Sequence, residues 1–436
     1  MAIRYSEALG ILKQVAVEIL EREDGSDVEY VGLEDAVGRI AGQHHRSTSA
    51  APPFDVSAIN GYILSSTATV NATKKRPVTF AVKGTIAAGN EPPDVPLSGS
   101  GIPFCFEIMA GARLPTYTPG DVLDSCVKLE DVVPTSFGSQ RMITVVAPVA
   151  KNANRRAAGS DLDVGCKVLA RGEKIRPRHV TALAAAGISR VAVRRKLSIA
   201  VRSPAYEPAH QNVARQSQQM DPGGHFLTAT IRELGAKAKL MGGLKPHAES
   251  LSKLLQHEIQ DNAYDLVLVS GADSLGTTDL TLSALKEVGA RIRFHGVSID
   301  PGHSVLFATL PTPHGEVPFL KLPNDPVAIA ACFEFLVKPF IRQLSELHQD
   351  VPKIMKIQQT KGLQDLSKDC PPHVDCFRPG WIQQSDRGEQ VMLLGHDHNP
   401  AKLSQYAASN CWAHVPRGHS GNCRNTLVYC YSHTST

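Results

Sequence analysis

The sequence predicts a multidomain protein of α/β plus β class, with a doubly wound α/β domain, an inserted β module and a C-terminal β domain. Three observations predict it. Three strand-loop-helix units, KLSIAVRSPAYE (196–207), LVLVSGADSLGTTDL (266–280) and VPFLKLPNDPVAIAACFEFLVKPFIRQL (317–344), fall within about 150 residues, which builds a parallel sheet whose loops meet along one edge. Between 50 and 150 the texture changes to short β-rich pieces separated by Pro and Gly. At 436 residues the chain exceeds the size at which a single core splits, so roughly three or four domains are expected.

Residues 6–20 carry apolar positions at helical spacing, and GLEDAVGRIAGQ (32–43) predicts a second short helix. RPVTFAVKGTIAAG, PFCFEIMAG, GDVLDSCVKLEDVV and QRMITVVAPV are the strands of the β module. LARGEKIRPRHVTALAAAGISRVAV (169–193) reads as a turn, a helix from Pro177, a stop at Gly187 and a strand. Leu266 to Val269 is wholly apolar, the pattern of a central parallel strand buried on both faces. Behind it Ser270, Gly271, Ser274 and Gly276 let backbone approach a ligand, and Asp279 opens a helix through Leu280, Leu282 and Leu285 that ends at Gly289. Unpaired N–H groups and a positive dipole end there suit an anion. The stretch 350–436, with QVMLLG and NTLVYCY, reads as a small β domain. The expected boundaries are 1–50 with 150–195 as a helical composite, 51–149 as the β module, 196–345 as the α/β domain and 350–436 as the C-terminal β domain.

A net charge of +4 spread over both signs argues against a nucleic-acid partner. Arg194, Arg195 and Lys196 read as strand-end residues. No apolar run approaches the roughly 18 residues of a membrane span, and the N-terminal helix carries acids unlike a signal peptide, so a cytoplasmic protein is expected. Nine cysteines without a CxxC pair fit neither a disulfide framework nor a zinc ribbon. Five of them (Cys370, Cys376, Cys411, Cys423, Cys430) lie near His373, His396, His398 and His414, but the spacing matches no standard metal site and none is assigned.

Seven segments in order resemble the molybdopterin molybdotransferase family, bacterial MoeA and the C-terminal domain of gephyrin. PPFDVSAINGYIL is similar to the family's PPFDxSAMDGYA, IMAGARLP to IMTGAPLP, VKLEDV to VxxEDT, and NANRRAAGSDLDVGCKVLARGEKIRP to NIRxxGEDxxxGxxLLxxGxxLxP. SGADSLGTTD is similar to SGGVSxGExD, VSIDPGHSVLFATL to xxxKPGKPxxFxxL, and LPNDPVAIAACFEFLVKP to LPGNPVSAxVxFELFVxP. The resemblance implies a molybdopterin-binding α/β domain, a homodimer, and insertion of molybdate into adenylated molybdopterin with Mg²⁺ held by carboxylates and lysines facing the molybdate.

Departures from the family fall on its charged positions. Its DGYA aspartate is Asn60, its TGAPLP threonine Ala110, its GED glutamate Ser160 beside Asp161, and its SGGVSxGExD acid Thr277, while Asp279 is kept. Its two KPGKP lysines are Asp300 and His303, and LPGNP becomes Leu322, Pro323, Asn324, Asp325, Pro326. TGDEL becomes Pro204 to Pro208 with Tyr206 inside, and DSN becomes Asp221, Pro222, Gly223. One ion pair at 4 Å is worth about 4 kcal/mol at an effective dielectric of 20, so Lys to Asp beside a dianion predicts strong repulsion.

On this reading the cleft is repurposed for another, less anionic small molecule, in specialised metabolism. Asp279, Asp161, Asp55 and His303 are the expected catalytic groups. Asn60, Ser57, Ser203, Tyr206, Asp221, Ser270, Gly271, Ser274, Gly276, Asp300, Asn324 and Asp325 are the expected binding groups. The alternatives are a working molybdotransferase with Asp161, Asp279 and Asp300 as a rearranged metal site, or a non-catalytic binding and scaffold protein.

Overall fold

The computed structural model describes residues 2–22, 28–93, 101–115, 123–203, 221–242, 248–261, 264–270, 278–313, 315–358, 366–385, 388–394, 402–421 and 426–433. It divides into two compact units, 29–193 and 1–28 with 194–436. Residues 1–28 thus fall with the α/β region rather than with 29–50 and 150–193. The reason is packing: helix α1 (Tyr5–Arg22) buries Ala8, Leu12, Val15 and Ala16 in the same apolar cluster as the α/β sheet.

In the 29–193 unit six strands form one sheet: β1 (Gly61–Leu64), β2 (Val78–Ile86), β3 (Phe104–Ile108), β4 (Ser125–Lys128), β5 (Val132–Phe137) and β6 (Gln140–Val145), ordered β4-β1-β3-β2-β6-β5. Gly61 is dictated by the β1–β4 pairing, because a Cβ there would lie 1.8 Å from the Val127 carbonyl oxygen. The helix expected over 32–43 does not form. That stretch is a series of turns through Gly38 at φ +83°, after which Ile40 bridges to Lys174 and Ala41 to Val193. Cross-chain pairing overrides the local periodicity. Helix α2 (Pro177–Ala185) ends before Gly187 at φ +76° and leads to β7 (Arg190–Arg194), as its sequence predicts.

The larger unit is built on β8 (Ser198–Arg202), α3 (Pro222–Glu233), β9 (Lys237–Met241), α4 (Ala248–Asp261), β10 (Leu266–Val269), α5 (Thr278–Glu287), β11 (Arg291–His295), β12 (Ile299–Asp300), β13 (Leu306–Thr312), β14 (Gly315–Lys321), α6 (Pro326–Cys332) and α7 (Lys338–Leu344). Its sheet runs β9-β8-β10-β14-β13-β11, with the first four strands parallel and β13 antiparallel to both its neighbours, β14 and β11. Side-chain alternation splits the core. Ile199, Val201, Leu266, Leu268 and Leu320 face α1, α3, α6 and α7, while Ala200, Val267, Val269 and Phe319 face α4 and α5. Residues Phe333–Val337 continue α6 into α7 through a π-helical turn. At the start of the sheet Arg194 pairs with Glu346 at 2.7 Å and Arg195 with Asp265 at 2.8 Å.

The C-terminal strands β15 (Lys353–Ile357), β16 (Asp375–Ser385), β17 (Gly388–Leu393), β18 (Cys411–Val415) and β19 (Leu427–Ser432) close into a barrel, since β16 pairs with both β17 and β18. Closure removes free edges. Cys370, Cys376, Cys411 and Cys430 are core residues of this barrel, each at most 2% exposed. The short strand β12 adds to β16 in parallel, Asp300 opposite Cys376. No helix among the described residues is long and apolar enough to cross a membrane.

Candidate functional site

The carboxyl ends of the parallel strands collect several of the expected residues. Ser203 follows β8 and Ser270 follows β10, both 1% exposed, and the backbone locks these ends together through Ser270 N–H to Arg202 O (2.9 Å) and Leu322 N–H to Val269 O (2.7 Å). Asp221 caps α3 by accepting from Gly224 N–H at 3.0 Å through Oδ1. Two glycines then bring the helix start close: a Cβ on Gly223 would lie 2.5 Å from Ile329 Cδ1, and one on Gly224 would lie 2.1 Å from Asp221 Oδ2. The Gly223 Cβ position is also 3.8 Å from Ser270 Oγ, so the β10 end meets the α3 N-terminus. At this junction Asp221 Oδ2 and Ser270 Oγ are buried without a hydrogen-bond partner among the described residues. Buried polar atoms are rarely left so, and a ligand group would satisfy them.

Asp325 and Asp300 correct the expectation of a negatively charged anion site. The Asp325 carboxylate accepts from Val327 N–H (3.0 Å) and Ala328 N–H (2.9 Å), so it caps α6, beside the exposed Asn324. Asp300 pairs with Arg378, whose side chain is 5% exposed and which also donates to the Asp300 carbonyl at 2.8 Å and to the Asp369 carbonyl. A carboxylate bonded to a buried guanidinium no longer acts as a bare charge on a neighbouring anion. The ground for strong repulsion of a dianion is therefore removed. His303 is exposed in the turn after Gly302, whose φ of +112° and Cβ position 2.4 Å from Cys332 Sγ admit only glycine.

In the 29–193 unit the expected acids are also committed. Asp55 pairs with Arg155 and accepts from Ala158 N–H at 2.8 Å, and Asp161 pairs with Arg156. The Ser57 hydroxyl donates to Ile59 O at 2.8 Å. Asn60 Oδ1 accepts from Ala110 N–H at 2.8 Å, so the amide holds the IMAGARLP turn as an aspartate oxygen would. Among the described residues no three or more His, Cys, Asp or Glu side chains gather where they could hold a metal ion. Magnesium, which the resemblance implies, does not fit these described carboxylates, because each already has a cationic or amide partner. Asp279 lies in the first turn of α5, and its side chain is outside the described residues, as are Tyr206, Gly271, Ser274 and Gly276.

The structure also places residues that the sequence reading passed over. Arg202, Val269 and Lys321 are neighbours across β8, β10 and β14. Arg202 pairs with Glu258 of α4, and Lys321 is 1% exposed. The signal was a lysine closing an apolar strand run, FLKLP.

Two family models match the chain: the MoeA N-terminal region (domain I and II) over residues 3–187 and a probable molybdopterin binding domain over 210–343. A molybdopterin molybdenumtransferase of Haemophilus influenzae is 30% identical over 389 residues, 89% of each chain. One from Synechococcus elongatus is 28% identical over 423 residues, 96% of each. In fold, the structure is similar to a molybdopterin biosynthesis MoeA protein from Pyrococcus horikosii, with a TM-score of 0.76 over the whole of both chains at 24% identity. These relatives give no support to a reaction on a different substrate. Similarity of this extent, at 30% identity over nearly nine tenths of a chain, shows that the protein belongs to the MoeA family of molybdopterin molybdenumtransferases.

Proposed function

We propose that this chain is a molybdopterin molybdenumtransferase, receiving adenylated molybdopterin on the carboxyl edge of the parallel strands and inserting molybdenum from molybdate into it as the pyrophosphate bond is cleaved and AMP and water leave. The observation that carries the reading is the pair Asp221 and Ser270, whose Oδ2 and Oγ are buried and, among the described residues, unpartnered beside the α3 N-terminus. Phosphate charge suits the positive dipole end of α3, where the Gly223–Gly224 pair opens the helix. The Ser270 hydroxyl can donate to a phosphate oxygen, and Asp221 Oδ2 can accept from a ligand hydroxyl or N–H. His303 adds an exposed donor at the turn leading into β13. Family members of this length and similarity support the same chemistry. The working form is a cytoplasmic homodimer, testable by sedimentation.

A cell lacking its own insertion activity, supplied with this chain, tests the proposal. Restored molybdoenzyme activity is expected. Failure at good expression, with the protein folded, would contradict it.

A further inference from the structure

We propose that the ribbon in which His45–Arg46 pairs with Lys167–Leu169 is a docking surface for an acidic segment of a partner protein. Register carries the inference. In that antiparallel pair Arg46 stands directly opposite Lys167, and both are exposed. Like charges so placed destabilise a pairing, and an anion laid across them removes the repulsion. The pairing continues beyond this point. Arg171 N–H donates to His44 Nδ1 at 3.1 Å, Gly172 N–H donates to Ala41 O at 2.9 Å, and Ile40 bridges to Lys174. The ribbon therefore carries exposed Arg46, Lys167, Arg171 and Lys174, and the chain adds exposed Arg176 and Arg178 where α2 begins.

Charge is concentrated here and left unpaired. None of these six cations has a carboxylate partner among the described residues, whereas Arg39, Arg113, Arg141, Arg155 and Arg156 of the same unit each have one. Of the acids beside them, Glu173 is taken by Ala170 N–H and His179, and Asp163 by Val164 N–H at 2.8 Å. Six cations with Glu173 as the acid among them give a local excess above the +4 of the whole chain, so the rest of the chain is near neutral. Composition selects protein over nucleic acid. Four of the six are Arg, whose planar fork binds a carboxylate through two parallel N–H bonds. Neither 39–46 nor 167–178 holds an aromatic residue on which a base could stack. Lys167, Arg171 and Lys174 stand roughly 10 to 13 Å apart along an extended chain, a spacing that an extended acidic peptide can follow.

Fluorescence anisotropy of a fluorescein-labelled decaglutamate peptide, titrated with the full chain at low salt, is the test. Saturable binding by the parent is expected, weakened about tenfold or more when Lys167→Glu, Arg171→Glu and Lys174→Glu are combined. Combining Lys74→Glu, Lys75→Glu and Arg76→Glu, which reverses the exposed turn elsewhere in the same unit, should leave the affinity within about twofold. Unchanged affinity in the first variant would overturn the inference, and equal loss in both would do so too, as a response to net charge alone. No saturable binding by the parent, or tighter binding of a DNA strand of equal charge, would also overturn it. Should the first variant not fold, carbodiimide cross-linking of the peptide to the parent decides: links at Lys167 or Lys174 support the inference, and links only at other lysines overturn it.

Discussion

A single charged side chain in this protein has meaning only with its partner. Asp300 reads in sequence as an acid placed where an oxyanion belongs, yet its partner Arg378 lies 78 positions away and neutralises it. No local pattern carries that information, which is why the sequence reading inferred repulsion. Removing Arg378 leaves the Asp300 carboxylate and the Asp369 carbonyl without their donor. Arg378→Met should cost about 3 kcal/mol, the low end for a broken buried pair because Asp300 is over a third exposed. Asp300→Asn in that background should recover part of the loss, read by urea denaturation of both variants. Full stability in the single variant would show that the pair does not hold β12 to the barrel. Gly61 gives a second test at this scale. Gly61→Ala forces a Cβ into the Val127 carbonyl, so a loss of several kcal/mol or failure to fold is expected, and a midpoint within a degree of the parent would contradict the pairing.

At the scale of elements, periodicity and punctuation located most of the fold. Leu266 to Val269 is a central parallel strand, α2 starts at Pro177, and α5 precedes Gly289 at φ +73°. The failure at 32–43 has a physical cause, because Gly38 takes a left-handed conformation and Ile40 and Ala41 pair with distant chain. Caps are testable units here. Asp221→Ala should lower stability by about 1 kcal/mol, whereas Asp221→Asn should not, since the amide oxygen caps α3 equally well. Differential scanning calorimetry on the two variants separates the cap from the charge. In the barrel, His433 is held below its ordinary value of 6.5 by burial first and Lys338 second, while packing on Tyr406 and Trp412. Folding favours its neutral form, so it contributes stability above pH 6.5 that is lost as pH falls through its folded value. His433→Gln should flatten the decline in thermal midpoint between pH 7 and pH 5, and an unchanged slope would exclude this residue as a source.

For the molecule as a whole, architecture and family were legible because the seven motifs depend on glycines, prolines and turns that shape backbone. The chemistry was less legible. Strand order decides which residues share an edge, and only the register between β10, β13 and β14 shows that a lysine closing an apolar strand stands opposite Val269 and Leu306. The expected site residues also divide between two compact units, with Asp55, Ser57, Asn60 and Asp161 in one and Ser203, Asp221, Ser270, Asp300, His303, Asn324 and Asp325 in the other. The central claim is that the carboxyl edge bearing Asp221 and Ser270 receives the pterin nucleotide. The most direct measurement is titration of the purified full chain with adenylated molybdopterin, followed by pterin fluorescence, in parent and Asp221→Asn proteins. Saturable binding by the parent, weakened about tenfold in the variant at equal thermal stability, is the predicted result. Absence of saturable binding, or equal affinity in the two proteins, would contradict it.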